Sequence, residues 1–258
     1  MDKVVRDAAS AVADIFDGAS LAVGGFGLAG VPNTLIAALH AAGARDLHVV
    51  SNNCGIDGAG LGLLLAGGRI AHVTASYIGE NKEFARRYLG GDLEVELTPQ
   101  GTLAERLRAG GCGIPAFYTP AGVGTRIAGG GLPLRYAADG SGAIEKAAAP
   151  KEIRTFDGSE YVLEYGIRTD FALVRARRGD LHGNLIFAKS ARNFNPLAAM
   201  AGRVTLAEVE ELVEPGDLDP DQIHLPGVFV HRLVALTADQ AADKQIEKRT
   251  LRTGAVGV

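Results

Sequence analysis

Long apolar runs are missing from this 258-residue chain: no stretch of about 18 uninterrupted apolar residues occurs, so no membrane-spanning helix is expected. Cysteine is scarce. Cys54 and Cys112 lie far apart and form no CxxC, which argues against a disulfide framework or a thiolate metal site and for small buried thiols in a reducing compartment. Charge of one sign is also lacking, since the net charge is −4 and no basic run appears, so nucleic acid is not an expected partner. The six histidines show no HxH or HExxH spacing, and no GxSxG elbow occurs. No metal site and no serine-hydrolase chemistry is expected. The first eighteen residues carry acids through their apolar pattern, unlike a secretory leader, and the cytoplasm is the expected location.

Glycine, by contrast, is abundant. Its 35 residues are about twice average usage and are gathered in clusters, where backbone turns tightly or approaches a ligand. Apolar residues from Val4 to Ile15 recur at helical spacing and predict a helix closed by Asp17-Gly18. A buried strand then leads into GGFGLAG, and Pro32 opens a helix. LHVV, IAHVTASY and LEVEL read as further strands alternating with helices, which implies βαβ units and a parallel sheet. Residues from about 113 to 165 break the pattern and read as an irregular, β-rich insertion in one domain. TDFALVRA, HGNLIF and RVTLAEVEEL return to strand character, and the charged stretch from about Asp239 reads as a peripheral tail or helix.

Three clusters could carry chemistry, each following a strand, where open α/β sheets bind ligands. Gly25-x-Gly27-x-x-Gly30 matches a dinucleotide fingerprint, and such a loop can turn backbone N–H groups toward a phosphate or oxyanion. A plain strand-to-helix turn is the alternative. The next strand ends in Ser51-Asn52-Asn53 without the acid a ribose would need, which argues against a dinucleotide. Asn52 and Asn53 can orient a carboxylate or carbonyl, or can simply form an Asx turn. Gln100, in TPQGT, sits where an amide can donate to a substrate oxygen, unless the segment only caps a helix through Thr98 or Thr102. Cys54 has no paired base and reads as an inert thiol.

LAVGGFGLAGVPNTLI, VVSNNCGIDGAGLGLLL, SYIGENKEF, LEVELTPQGTLAERLRAGG, GIPAFYTPAGVGT and KSARNFN occur in order from about residue 3 to about 250. Together they resemble the A (alpha) subunits of the family I CoA-transferases. The resemblance implies the three-layer CoA-transferase-type α/β fold, with a mostly parallel sheet. It implies transfer of CoA from succinyl-CoA to a 3-oxoacid such as acetoacetate through a glutamyl-CoA intermediate. In the family that glutamate lies in a Ser-Glu-Asn-Gly motif of the B subunit, and no such motif occurs here. Glu80, in Gly-Glu-Asn-Lys, reads as a structural acid at a helix start. The resemblance therefore implies no catalytic residue in this chain and a required B subunit, in a heterodimer or an A2B2 heterotetramer. It places Gly24, Gly25, Phe26, Gly27, Leu28, Ala29 and Gly30 against CoA, and makes Asn52, Asn53 and Gln100 the groups that orient the acid. CoA thioester is then a substrate, with no permanently bound cofactor. Another short-chain acid pair, such as acetate with acetoacetyl-CoA, and a non-catalytic nucleotide or sugar-phosphate binder are the competing expectations.

Overall fold

The structure is a computed structural model that describes residues 3–79 and 81–244. Glu80 and the end of the charged C-terminal stretch lie outside the described residues.

The chain runs through helix α1 (Ala8–Val12), strand β1 (Ser20–Val23), α2 (Asn33–Ala42), β2 (Leu47–Val50), α3 (Gly62–Ala66), β3 (Ile70–Ala75), α4 (Lys82–Leu89), β4 (Glu94–Leu97) and α5 (Gln100–Gly111). An insertion follows, with β5 (Ala116–Thr119), α6 (Arg126–Gly129), β6 (Pro133–Tyr136), β7 (Ile144–Ala147), β8 (Ile153–Phe156) and β9 (Ser159–Tyr165). The last part holds β10 (Thr169–Asp180), β11 (Leu185–Ile186), α7 (Asn195–Ala201), β12 (Gly202–Val213), β13 (Arg232–Ala235) and α8 (Ala238–Ala242).

Seven strands form a parallel sheet in the order β13-β12-β10-β1-β2-β3-β4, and β11 adds antiparallel to β10. Alternation along each strand sends side chains to two faces. Leu21, Val23 and Leu173 meet Leu35 and Ile36 of α2, Leu64 of α3 and Phe84 of α4 on one face. On the other, Ala22, Ala172 and Val174 meet Leu103 and Leu107 of α5 and Ala198 of α7. The result is the three-layer α/β arrangement that the strand–helix alternation implies. The sheet's outward winding reverses between β1 and β10, the kind of switch point beside which open sheets bind ligands.

The insertion forms a three-stranded antiparallel sheet, β5-β9-β8, and a β6-β7 hairpin. Ion pairs join it to the main body, among them Lys146 Nζ to Glu94 Oε1 at 2.6 Å.

Three local readings need correction. The first helix covers only Ala8–Val12, because Asp7 caps it by accepting from Ser10 N–H and because Val4 and Val5 instead pair with Leu233 of β13. Pro32 is the residue before α2 rather than its first helical one. Cys112 is exposed, at the end of α5, whereas Cys54 is buried. Among the described residues no helix is long and apolar enough to cross a membrane.

Candidate active site

Four successive strands, β1 to β4, end side by side, and the segments after them carry the three clusters seen in the sequence. Gly24–Gly30 follows β1, Ser51–Asn53 follows β2, Ser76 follows β3, and Gln100 opens α5 after β4.

The Gly-rich loop is a two-residue hairpin. Phe26 and Ala29 exchange backbone hydrogen bonds of 3.1 and 3.0 Å around Gly27-Leu28. Gly27 takes a φ of 59°, which a tight turn of this kind demands at its first central position. A counterpart follows β2. Gly55-Ile56-Asp57-Gly58-Ala59-Gly60 repeats the motif thirty positions on, with Ile56 bridged to Ala59 and the positive φ moved to Gly58. Phe26 and Ile56 occupy matching places in the two turns and are exposed, as is Tyr77 after β3. No internal repeat stands out in the sequence, but the two turns align GFGLAG with GIDGAG, which share three of six residues.

The amides form one chain of hydrogen bonds. Gln100 Nε2 donates to Asn52 Oδ1 at 3.1 Å, and Asn52 Nδ2 donates to Asn53 Oδ1 at 3.2 Å. Asn53 then grips the turn, accepting from Gly27 N–H at 3.0 Å and donating to Gly27 O at 3.3 Å. Ser76 Oγ, at the start of the SYIGENKEF block but not among the expected site residues, donates to Asn52 Oδ1 at 2.7 Å. Asn52 and Asn53 are buried while Gln100 is exposed. The three predicted amides are thus brought together, with only Gln100 at the surface and with the Gly27 N–H already bonded to Asn53.

Neither Thr98 nor Thr102 caps α5, whose start is preceded by Pro99 with no side-chain cap. Asn81 caps α4 by accepting from Phe84 N–H and anchors the second turn by donating to Cys54 O at 3.0 Å. Burial pushes the Cys54 thiol up to about 12, which leaves it protonated and unreactive at neutral pH. Next to the turns lies a cavity of about 290 Å³, lined by Leu28, Val31, Ile36, Gly58 and, at its polar end, Arg175 and Lys244.

One buried carboxylate carries no sequence motif of its own. Glu208 of β12 is fully buried, and its Oε2 accepts from Leu35 N–H at 2.9 Å at the N-terminus of α2, the helix after the Gly-rich loop. Its Oε1 lies 3.4 Å from Arg175 Nη1. Burial pushes its carboxyl up to about 7, against the opposing pull of Arg175 and the helix N–H groups. Only the strand pattern of RVTLAEVEEL hints at it, by placing an acid on an inward-facing position.

Comparison with known proteins assigns this geometry to a family. The chain is 65% identical over 252 residues to the probable A subunit of succinyl-CoA:3-ketoacid coenzyme A transferase from Mycobacterium tuberculosis, covering 98% of this chain and 100% of that protein. The probable A subunit of the same name from Bacillus subtilis is 54% identical, over 98% of this chain and 96% of its own length. A crystal structure of an acyl-CoA transferase from E. coli O157:H7, a thioester complex with CoA, has the same fold, with a TM-score of 0.76 at 24% identity. That alignment covers 93% of this chain and 48% of the other, so this chain spans about half the length of that transferase. The family model described as Coenzyme A transferase matches residues 5–236, and the chain therefore belongs to the coenzyme A transferase family.

Proposed function

We propose that this chain is the A subunit of a succinyl-CoA:3-ketoacid CoA-transferase and works only together with a B subunit. The observation that carries this is end-to-end identity of 65% with a relative bearing that name, within which the Gly-rich turn and the amide chain both fall. The partner supplies the nucleophilic glutamate. Its carboxylate attacks the thioester carbonyl of succinyl-CoA, and the CoA thiolate leaves as a mixed anhydride forms. The thiolate then attacks the glutamyl carbonyl of the anhydride, releasing succinate and leaving a glutamyl-CoA thioester. Acetoacetate repeats the sequence in reverse and departs as acetoacetyl-CoA, freeing the glutamate.

This chain supplies the opposite wall. Gln100, the exposed end of the amide chain, donates to the acid's oxygen. Asn52 holds Gln100 in place, and Asn53 acts through Gly27, fixing the turn against which CoA lies. Holding the two reactants in line is worth orders of magnitude in rate. The segment Gly24–Gly30 meets the thioester end of CoA, and the exposed Phe26, Ile56 and Tyr77 are the apolar surface that the B subunit covers. Both acyl-CoA and free acid are then substrates in transit, in the cytoplasm where both occur.

The test is to purify this chain alone and with its B subunit, then to assay CoA transfer from succinyl-CoA to acetoacetate. Activity is expected only for the pair, with a CoA adduct found by mass spectrometry on the B subunit. Full activity from the single chain, or an adduct on it, would overturn the proposal.

A further inference from the structure

Two amides from the segment before and into α7 face the Gly-rich loop from the side opposite Asn53. Asn193 Nδ2 donates to Ala29 O at 3.0 Å. Asn195, the first residue of α7, is fully buried and bonded at both ends of its amide. Its Nδ2 donates to Gly30 O at 2.9 Å and to Ala191 O at 2.8 Å, which uses both of its N–H groups. Its Oδ1 accepts from Arg175 N–H at 3.0 Å. Arg175 lies on β10 just beyond Leu173, the partner of the last residue of β1, so this is the stretch where β10 outruns the loop-bearing strand.

Both ends of the loop close on this one side chain. A β-carbon at Gly24 would stand 2.6 Å from Asn195 Cγ, and one at Gly30 would stand 2.7 Å from Asn195 Nδ2. Contacts that short do not occur between real side chains, so the amide excludes a side chain at the entry, and at the exit it does so together with Ala191 O, also 2.7 Å away, and a positive φ of 71°. Asn53 braces the tip of the loop and Asn195 braces its base.

We propose that Asn195 is a positioning residue for CoA transfer: it packs against the entry of the Gly24–Gly30 loop, ties the loop's exit to β10, and so fixes the loop's height above the sheet relative to Gln100. The role in turnover rests on the transferase reading above; the role in holding the loop does not. Loss of the tether frees the loop to shift, and misplacement by about 1 Å is enough to lower a rate many-fold.

The experiment compares wild type, Asn195→Asp and Asn195→Ala, each assembled with the B subunit. Asp keeps the shape and the acceptor for Arg175 N–H but, held protonated by burial, can donate to at most one of the carbonyls of Gly30 and Ala191, so that the double tether is broken. Turnover is expected to fall about tenfold or more in both variants, with KM for either substrate within about threefold of wild type. Amide hydrogen exchange on the chain alone is expected to speed up about tenfold or more at Phe26 and Ala29, whose mutual bonds close the turn, and to stay unchanged in β10 and β12. Wild-type turnover in an assembled Asp variant, or unaltered exchange at Phe26 and Ala29, would overturn the inference. Where the Ala variant does not assemble, the isosteric Asp variant decides. A wild-type pair that transfers no CoA would refute the functional reading, while the exchange measurement would still decide the tether.

Discussion

Replacing Glu208 by Gln should change how the stability of this chain depends on pH. The carboxyl has an ordinary value of 4.5 and is pushed up to about 7, chiefly by burial, with Arg175 pulling the other way. The folded state therefore keeps the proton to higher pH than the unfolded state. Stability from this group is complete below about pH 4.5 and is lost as pH rises through 7. With these two values the penalty grows from roughly 1 kcal/mol at pH 5 to roughly 3 kcal/mol at pH 8. Gln keeps an oxygen for Leu35 N–H but has no proton to lose, so its curve should lack that decline. His72, His224 and His231 are pushed down, first by burial, and contribute the opposite slope, but they are common to both proteins and cancel in the difference. Urea unfolding of the chain and its Glu208→Gln variant at pH 5, 6, 7 and 8 measures this directly. Gln should gain on wild type steadily with pH, by about 2 kcal/mol over the range. A constant difference from pH 5 to pH 8 would refute the reasoning, because it would mean that Glu208 does not titrate there in the folded state.

Other tests bear on the site itself. Gln100→Ala should lower turnover at least about tenfold with assembly intact, measured as steady-state CoA transfer by the two-subunit enzyme; a wild-type rate would remove Gln100 from the site. Gly24→Ala forces a methyl against Asn195 and should cost about 1–3 kcal/mol in denaturant unfolding, since the backbone φ there is not positive and only the overlap opposes alanine. Asn81→Ala removes both the α4 cap and the anchor on Cys54 O and should cost about 2 kcal/mol or more by the same measurement. Iodoacetamide at pH 8 should modify one cysteine of the native chain, the exposed Cys112, and reach Cys54 only after unfolding, as counted by intact-mass spectrometry.

Much of the site is legible in the sequence because each cluster follows a strand, and strand ends on one edge of a parallel sheet are neighbours in space. Gly24–Gly30, Asn52, Asn53 and Gln100 all obey that rule. Direction is not legible. Asn52 and Asn53 point inward to each other and to Gly27, and the depth of an amide depends on packing that no local pattern encodes. Asn195 lies 165 positions from Gly30, and a lone asparagine at a helix start carries no mark of a long-range tether. The first helix is shorter than its apolar stripe for a related reason: Val4 and Val5 fit the stripe, but the segment instead bridges β13, with Val5 N–H donating to Leu233 O and Leu233 N–H donating to Lys3 O. The insertion breaks the strand–helix alternation, so its outline shows, while its pairing of β5 with β9 depends on contacts across the whole segment.

The order β13-β12-β10-β1-β2-β3-β4 also has a consequence for synthesis. The central strand, β1, is the first made, yet its second neighbour, β10, comes only after the insertion. Ser20 waits 150 positions for Asp170, whose carboxylate accepts from both its backbone N–H and its hydroxyl. At ribosomal speeds of about 5–20 residues per second, one edge of β1 stays unpaired for roughly 8–30 s while β2 to β4, α5 and the insertion are translated. During that time Leu21, Ala22 and Val23 present an open apolar edge to any other nascent strand. A chain halted before residue 169 would hold an intact β1–β4 half-sheet with a naked centre, and aggregation during expression would begin there.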